Sequence, residues 1–320
     1  MLEGVTVLDF TTLLPGPYAS SRLAELGATI WKVEPPGGDP ARHMHPQKKG
    51  TGIVFLVHSQ NKTLLEINLK TEDGQKTVRN FIDRVDVLLE GFRPGVPERL
   101  GIGYEQLNKI NPRLIYCALT GYGQSSRLAH AAGHDINYMA LSGMLAQHLD
   151  SQENPILPSV QWADLIGGQG AVEAILAALV ERHRTNQGRF LDISIFAQLQ
   201  RLLKVHTAIW QATGFSRGVP QLTGAVVCYH LYQTSDSRFV ALGALETKFW
   251  DNFCRALGNP QWIPHQFSRA DPENSVYREI RDVFSIKTLA YWSDFGHEAD
   301  YCLTPVLSLP ESCSDIFSPD

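Results

Sequence analysis

Much of what narrows this chain's identity is what it does not contain. Its 320 residues include five cysteines, an odd number, and none stands in a CxxC pair. Neither a zinc site nor a disulfide framework finds its ligands here, so Cys117, Cys228, Cys254, Cys302 and Cys313 are expected to be reduced, buried thiols, and no metal is expected. No window approaches about 18 uninterrupted apolar residues, which argues against a membrane span. The opening segment, MLEGVTVLDF, lacks a basic leader and a long apolar core, so secretion is not expected and a cytoplasmic location is. A surplus of one charge is also missing, since 28 basic residues face 33 acidic ones for a net charge of −5. That balance gives nucleic acid or an anionic membrane no global attraction, so an anionic ligand depends on local basic positions. Finally, no GxGxxG follows the first strand. Gly16 stands between Pro15 and Pro17, and a turn stripped of N–H groups cannot cradle the pyrophosphate of NAD.

What is present suits a packed globular chain, with 43% hydrophobic and 19% charged residues. Short β-branched runs predict strands over 5–10, 29–33, 64–69, 85–89, 114–119 and 190–195. Helical spacing predicts helices over 18–26, 72–82, 98–110 and from 167 to about 184. The alternation is that of βαβ units, giving an α/β, Rossmann-like domain built on a parallel sheet. The stretch 35–46, rich in Pro, Gly, His and Arg, reads as an ordered loop. A helix reaching 212 closes a large domain, 1–212, and the Gly/Pro-punctuated stretch 213–224 reads as a linker. A smaller α+β domain, 225–320, follows, with a hairpin of 226–233 and 239–242 and helices over 248–257 and 277–284.

Three acid–base candidates stand out by their surroundings. Asp164, in WADLIGG, precedes the long helix, whose positive end favours an ionised carboxylate, and the adjacent glycines admit a ligand to the backbone. An ordinary helix cap is the alternative. His134, in AGHDINY, opens another helical pattern and can move a proton near neutrality, or simply cap that helix; Asp135 is an equal candidate there. Glu246 ends the apolar run VALGALE, where a buried carboxylate is costly without a partner. Arg42, Asn61, Lys62 and Arg93 sit in Gly- and Pro-rich loops, and arginine suits phosphate, though each reads equally as a solvated surface group.

Taken together, the segments LEGVTVLDFTTLLPGPYAS, LGATIWKVEPPGGDPAR, NKTLLEINLK, LLEGFRPGVPERLGIGYEQL, NPRLIYCALTGYGQ, AGHDINYMALSGML, ADLIGG and ALGALETKFW resemble the family III CoA-transferases, the CaiB/BaiF group, which includes the alpha-methylacyl-CoA racemases. The resemblance covers nearly the whole chain. It implies an interlocked homodimer acting on acyl-coenzyme A without a prosthetic group, CoA being part of the substrate. In the transferases the position of Asp164 is a nucleophile that takes up the donor acyl group. In the racemases it is one of two bases at Cα, the other being a histidine paired with a glutamate, which fall on His134 and Glu246. That pair favours the racemase branch, with a CoA-binding protein without turnover as a third reading. The same resemblance implies that Arg42, Lys62 and Arg93 contact the nucleotide and phosphates, and that Asn61 and Tyr138 line the site. Two departures stand out: Gln124-Ser125-Ser126-Arg127 replaces the family's Gly-Pro turn, and the segment that usually returns to the first domain is expected to be shortened by the end at Asp320.

Overall fold

A computed structural model describes residues 1–150 and 152–315. The last residues of the expected small domain, 316–320, lie outside the described residues. The chain forms two compact units, Met1–Lys204 and Val205–Asp320, which divide upstream of the 213–224 stretch.

The first unit contains, in chain order, β1 (Thr6–Asp9), α1 (Pro15–Glu25), β2 (Thr29–Glu34), the small strands β3 (Gln47–Lys48) and β4 (Thr51–Gly52), α2 (Ile53–His58), β5 (Lys62–Glu66) and α3 (Glu72–Phe81). Then come β6 (Val87–Glu90), α4 (Val96–Arg99), α5 (Tyr104–Leu107), β7 (Ile115–Thr120), α6 (Asp135–Ser142), α7 (Trp162–Thr185), β8 (Arg189–Ser194) and α8 (Ile195–Leu202). Six strands form one sheet in the order β5-β2-β1-β6-β7-β8, every pair parallel, as the alternation predicts. The central strands are apolar on both faces because both faces are covered. Val7, Val87, Leu89, Ile115 and Cys117 pack with Leu23 and Ile175 on the side of α1 and α7. Leu8, Leu88, Tyr116 and Ala118 pack with Val78 and Ile82 on the side of α3.

Several expectations need correction. The helix expected over 98–110 is two short ones, because Gly101 takes a φ of +70° that a continuing helix cannot accept. The run IVFLVH, for which the sequence pattern predicts no element, is α2. The long helix begins at Trp162 rather than 167, so Asp164 lies within its first turn. Chain α7 is also long and apolar enough to cross a membrane by length and composition, yet it packs against α1, α6, α8, β7 and β8 as the central helix of its unit.

The second unit is α+β. After α9 (Lys204–Thr213), which is separated from α8 at Leu203, come β9 (Tyr229–Gln233), β10 (Phe239–Gly243), α10 (Thr247–Ala256), α11 (Ser275–Ser285), α12 (Leu289–Glu298), β11 (Leu303–Pro305) and α13 (Leu309–Asp315). The expected hairpin is β9–β10, and β11 adds an antiparallel third strand to β10. Trp250, Trp262, Trp292, Phe253 and Phe284 fill its core. Of the cysteines, Cys117, Cys228 and Cys254 are buried as expected, whereas Cys302 and Cys313 are exposed.

Candidate active site

In an open parallel sheet, ligands bind beyond the carboxyl ends of the strands where the winding direction reverses. Here that point lies between β1 and β6, which are hydrogen-bonded neighbours although their successors run to opposite sides. A cavity of about 240 Å³ opens there, walled by Thr11, Thr12, Leu13, Pro15 and Gly16 after β1, by Gly91, Phe92, Arg93 and Pro94 after β6, and by Gly121 and Tyr122 after β7. Ala129, Ala131, Ala132, His134, Tyr138 and Asp164 complete the lining. The sheet thus brings four of the expected site residues, Arg93, His134, Tyr138 and Asp164, to one cavity.

Asp164 is the third residue of α7, after Gln161, whose side chain makes no capping bond. The Asp164 backbone N–H instead donates to Asp135 Oδ1 at 3.0 Å. Burial, with the nearby Asp135 carboxylate adding to it, pushes the Asp164 carboxyl up to about 7. The helix end was expected to favour the ionised form, and desolvation outweighs it. The glycines beside it also differ in role from expectation: they admit protein rather than ligand. A Cβ on Gly167 would press on Ile195 of α8, and one on Gly168 would collide with the Pro15 carbonyl and the Tyr18 ring of α1.

His134 caps α6, and its backbone N–H donates to Asn137 Oδ1 at 3.0 Å. The residue is exposed and lines the same cavity as Asp164. The Tyr138 hydroxyl donates to the Gly133 carbonyl at 2.7 Å, and its ring meets Tyr122 edge-on at 5.2 Å. Burial, with the Asp164 charge second, pushes this phenol up to about 12, so it remains a hydrogen-bond donor at neutral pH.

The other expected residues lie elsewhere. Lys62 Nζ is fully buried, 3.5 Å from Asp9 and donating to Ser20 Oγ at 2.6 Å and to the Pro17 carbonyl at 3.0 Å. Arg42 forks onto Glu34, with bonds of 2.9 and 2.6 Å, and lies 3.9 Å over the Phe55 ring. Asn61 has a φ of +59° and lines a separate small cleft with Tyr18, Arg22 and His58. Glu246 belongs to the second unit, where it is exposed at the start of α10 and its carbonyl accepts from Phe249 and Trp250. The cost of burial that singled it out therefore does not arise.

That cost does arise at a residue the sequence reading passed over. Glu90 ends β6 at 1% exposure, accepts the Phe92 N–H at 2.6 Å, and is pushed up to about 8 by burial. It anchors the loop that carries Arg93. Its signal was in plain sight as the one acid closing the run DVLLE. A second, apolar cleft of about 300 Å³ adjoins the cavity, sharing Thr12 and Phe92 and lined also by Val33, Pro35, Ile67, Leu69 and Lys70.

Comparison with known proteins bears on this site. The profile of CoA-transferase family III matches residues 2–316. Human alpha-methylacyl-CoA racemase is 38% identical over 97% of this chain and 78% of that protein. Mouse succinyl-CoA:glutarate CoA-transferase is 35% identical over 82% of this chain and 61% of that protein. The crystal structure of a CaiB/BaiF family protein from Brucella suis superposes with a TM-score of 0.84 at 25% identity, covering 98% of this chain and 86% of that one.

Proposed function

The chain belongs to CoA-transferase family III, an enzyme family, and from that membership we propose that it racemises 2-methyl-branched acyl-CoA thioesters by moving the proton on Cα. The observation that carries this reading is the shared cavity of His134 and Asp164, two proton-handling groups from the first turns of different helices. Inversion needs one group to remove a proton from one face and another to supply one from the opposite face. An aspartate near 7 exchanges a proton readily in both directions at neutral pH, whereas an ordinary carboxylate is a weak base. Asp164 serves one face and His134 the other, and Glu246 keeps the role that the resemblance gives it.

The thioester carbonyl must take up the charge released at Cα. If base and carbon acid differ by about ten pKa units, the mismatch is ~14 kcal/mol, most of which must be offset at the enolate oxygen. The positive ends of the α6 and α7 dipoles suit that oxygen. No redox group is required, and CoA enters only as part of the substrate. Arg93 reaches the nucleotide and phosphates of CoA and Tyr138 lines the site, as the resemblance implies. Arg42 keeps the nucleotide and phosphate role that the resemblance gives it, exchanging Glu34 for phosphate, whereas Lys62 is held in the interior by Asp9 and Asn61 lines a separate cleft. The enzyme works as a cytoplasmic, interlocked homodimer.

The identity to a CoA-transferase favours a second reading, in which ionised Asp164 attacks the thioester carbonyl, expels CoA thiolate and holds the acyl group as an anhydride. Incubation with a chiral 2-methylacyl-CoA in deuterated buffer separates the two. Racemisation predicts deuterium at Cα without any acceptor acid. Movement of CoA to an added carboxylic acid, with Cα unlabelled and hydroxylamine trapping Asp164, overturns it in favour of transfer.

A further inference from the structure

His134 and Asp164 lie thirty positions apart, yet one side chain refers both to the same point. Asp135 follows His134 as the first residue of α6, is 9% exposed, and places Oδ1 on the Asp164 backbone N–H at 3.0 Å. We propose that Asp135 is a positioning residue that ties the first turn of α7 to the first turn of α6, so that His134 and Asp164 face the cavity from fixed points. The inference rests on the proton-transfer reading above and adds a part that reading does not use.

Physical chemistry gives Asp135 two separable effects. Its oxygen satisfies an N–H that Gln161 leaves uncapped, and so fixes where α7 begins relative to α6. Its charge stands beside the Asp164 carboxyl and opposes ionisation there. The charged or titratable groups around Asp164 are His134, Asp135 and Tyr138 from α6, Arg93 from the loop after β6, and Tyr122 after β7. From α1 the Tyr18 hydroxyl lies 3.5 Å from Gln169 of α7, and the α8 contacts at Gly167 and Gly170 are Ile195 and Gln198, which carry no charge. Arg93 is the single cation of fixed charge in that set, so removing the Asp135 charge leaves little to hold the Asp164 proton except burial.

Asparagine at 135 keeps an acceptor and removes the charge, whereas alanine removes both. The full chain, labelled with carbon-13 at aspartate carboxyls, is titrated by NMR, with the Asp164 signal assigned by its loss in Asp164→Asn. In Asp135→Asn the Asp164 midpoint moves to lower pH, and the rising limb of kcat/KM for Cα exchange moves with it, kcat staying within about threefold. In Asp135→Ala kcat falls about 100-fold while KM changes far less, as expected for misplaced reacting groups. An unmoved midpoint in Asp135→Asn, or normal kcat in Asp135→Ala, overturns the proposal. Should either variant fail to fold, the unaltered chain decides: the Asp164 amide proton shift must follow the ionisation of Asp135, and independence of the two overturns it. If the protein neither exchanges nor transfers, the function proposed above fails, while the NMR midpoints still judge Asp135.

Discussion

Two aspartates of the first unit, Asp9 at the end of β1 and Asp164 in the first turn of α7, are treated in opposite ways. Asp9 is completely buried, and desolvation works against its charge. Lys32, Lys62 and the hydroxyls of Ser20 and Thr11 nevertheless hold its carboxyl below the usual range. Asp39 and Lys32, both 1% exposed, extend the pairing at 3.0 Å. Lys32 donates to the Thr11 carbonyl at 2.7 Å and Asp39 accepts the Leu13 N–H at 3.1 Å, where Leu13 has a φ of +68°. Asp164 is only half-buried, yet among the described residues no cation offsets the effect of burial there, and the Asp135 carboxylate, of the same sign, adds to it. Complete burial with partners makes a group structural. Partial burial without them leaves a proton ready to move.

This contrast is broken most severely at Asp164. Asp164→Asn is expected to lower turnover by about 10³-fold or more while the fold persists, measured by Cα deuterium exchange beside circular dichroism. At the other pole, Asp9→Asn leaves the buried Lys62 ammonium without its carboxylate partner and is expected to cost about 3–5 kcal/mol in urea unfolding. A loss of activity without loss of stability at Asp9 would erase the distinction. A smaller effect tests the packing that separates the two regions: Gly168→Ala drives a methyl into the Pro15 carbonyl and the Tyr18 ring, with an expected loss of about 1–3 kcal/mol.

The smallest effect is in pH dependence, and its sign differs between the two residues. The Asp164 value is raised on folding, so between about pH 4 and pH 7 the unfolded chain sheds a proton that the folded chain keeps. Stability contributed at this site therefore falls as pH rises through that window, and Asp164→Asn should gain on the parent over the same range. Asp9 has a lowered value, so its contribution is present above the ordinary aspartate range and is lost as pH falls through the folded value. Parallel thermal melts of parent and variants from about pH 8 down to about pH 2 check both signs.

Much of the large sheet was legible because strands covered on both faces read as apolar runs. The elements that escaped were those whose local pattern is ambiguous or absent. IVFLVH in α2 is too short for periodicity to separate helix from strand, and β11 is only Leu303–Pro305, with a proline that speaks against a strand. The start of α7 was misplaced because Gln161 is not a capping residue, and the bond that replaces a cap comes from Asp135, far away in sequence. His134, Asp164 and Tyr138 could be picked out by motif, but the proton affinity of Asp164 could not, since it depends on burial. The same holds for Lys62, whose loop sequence suggested exposure while its ammonium is folded beneath α1.

The walls of the cavity are unequal, and that has a consequence for redesign. Behind Asp164, Gly167 and Gly168 are filled to contact by Ile195, Pro15 and Tyr18, so the start of α7 cannot be repacked without displacing Asp164. Ala129, Ala131 and Ala132 instead bring small side chains to the cavity from a loop, the latter two exposed. Efforts to retune which acyl groups are accepted should therefore begin by varying those three alanines, treating the packing of α7 as a fixed reference.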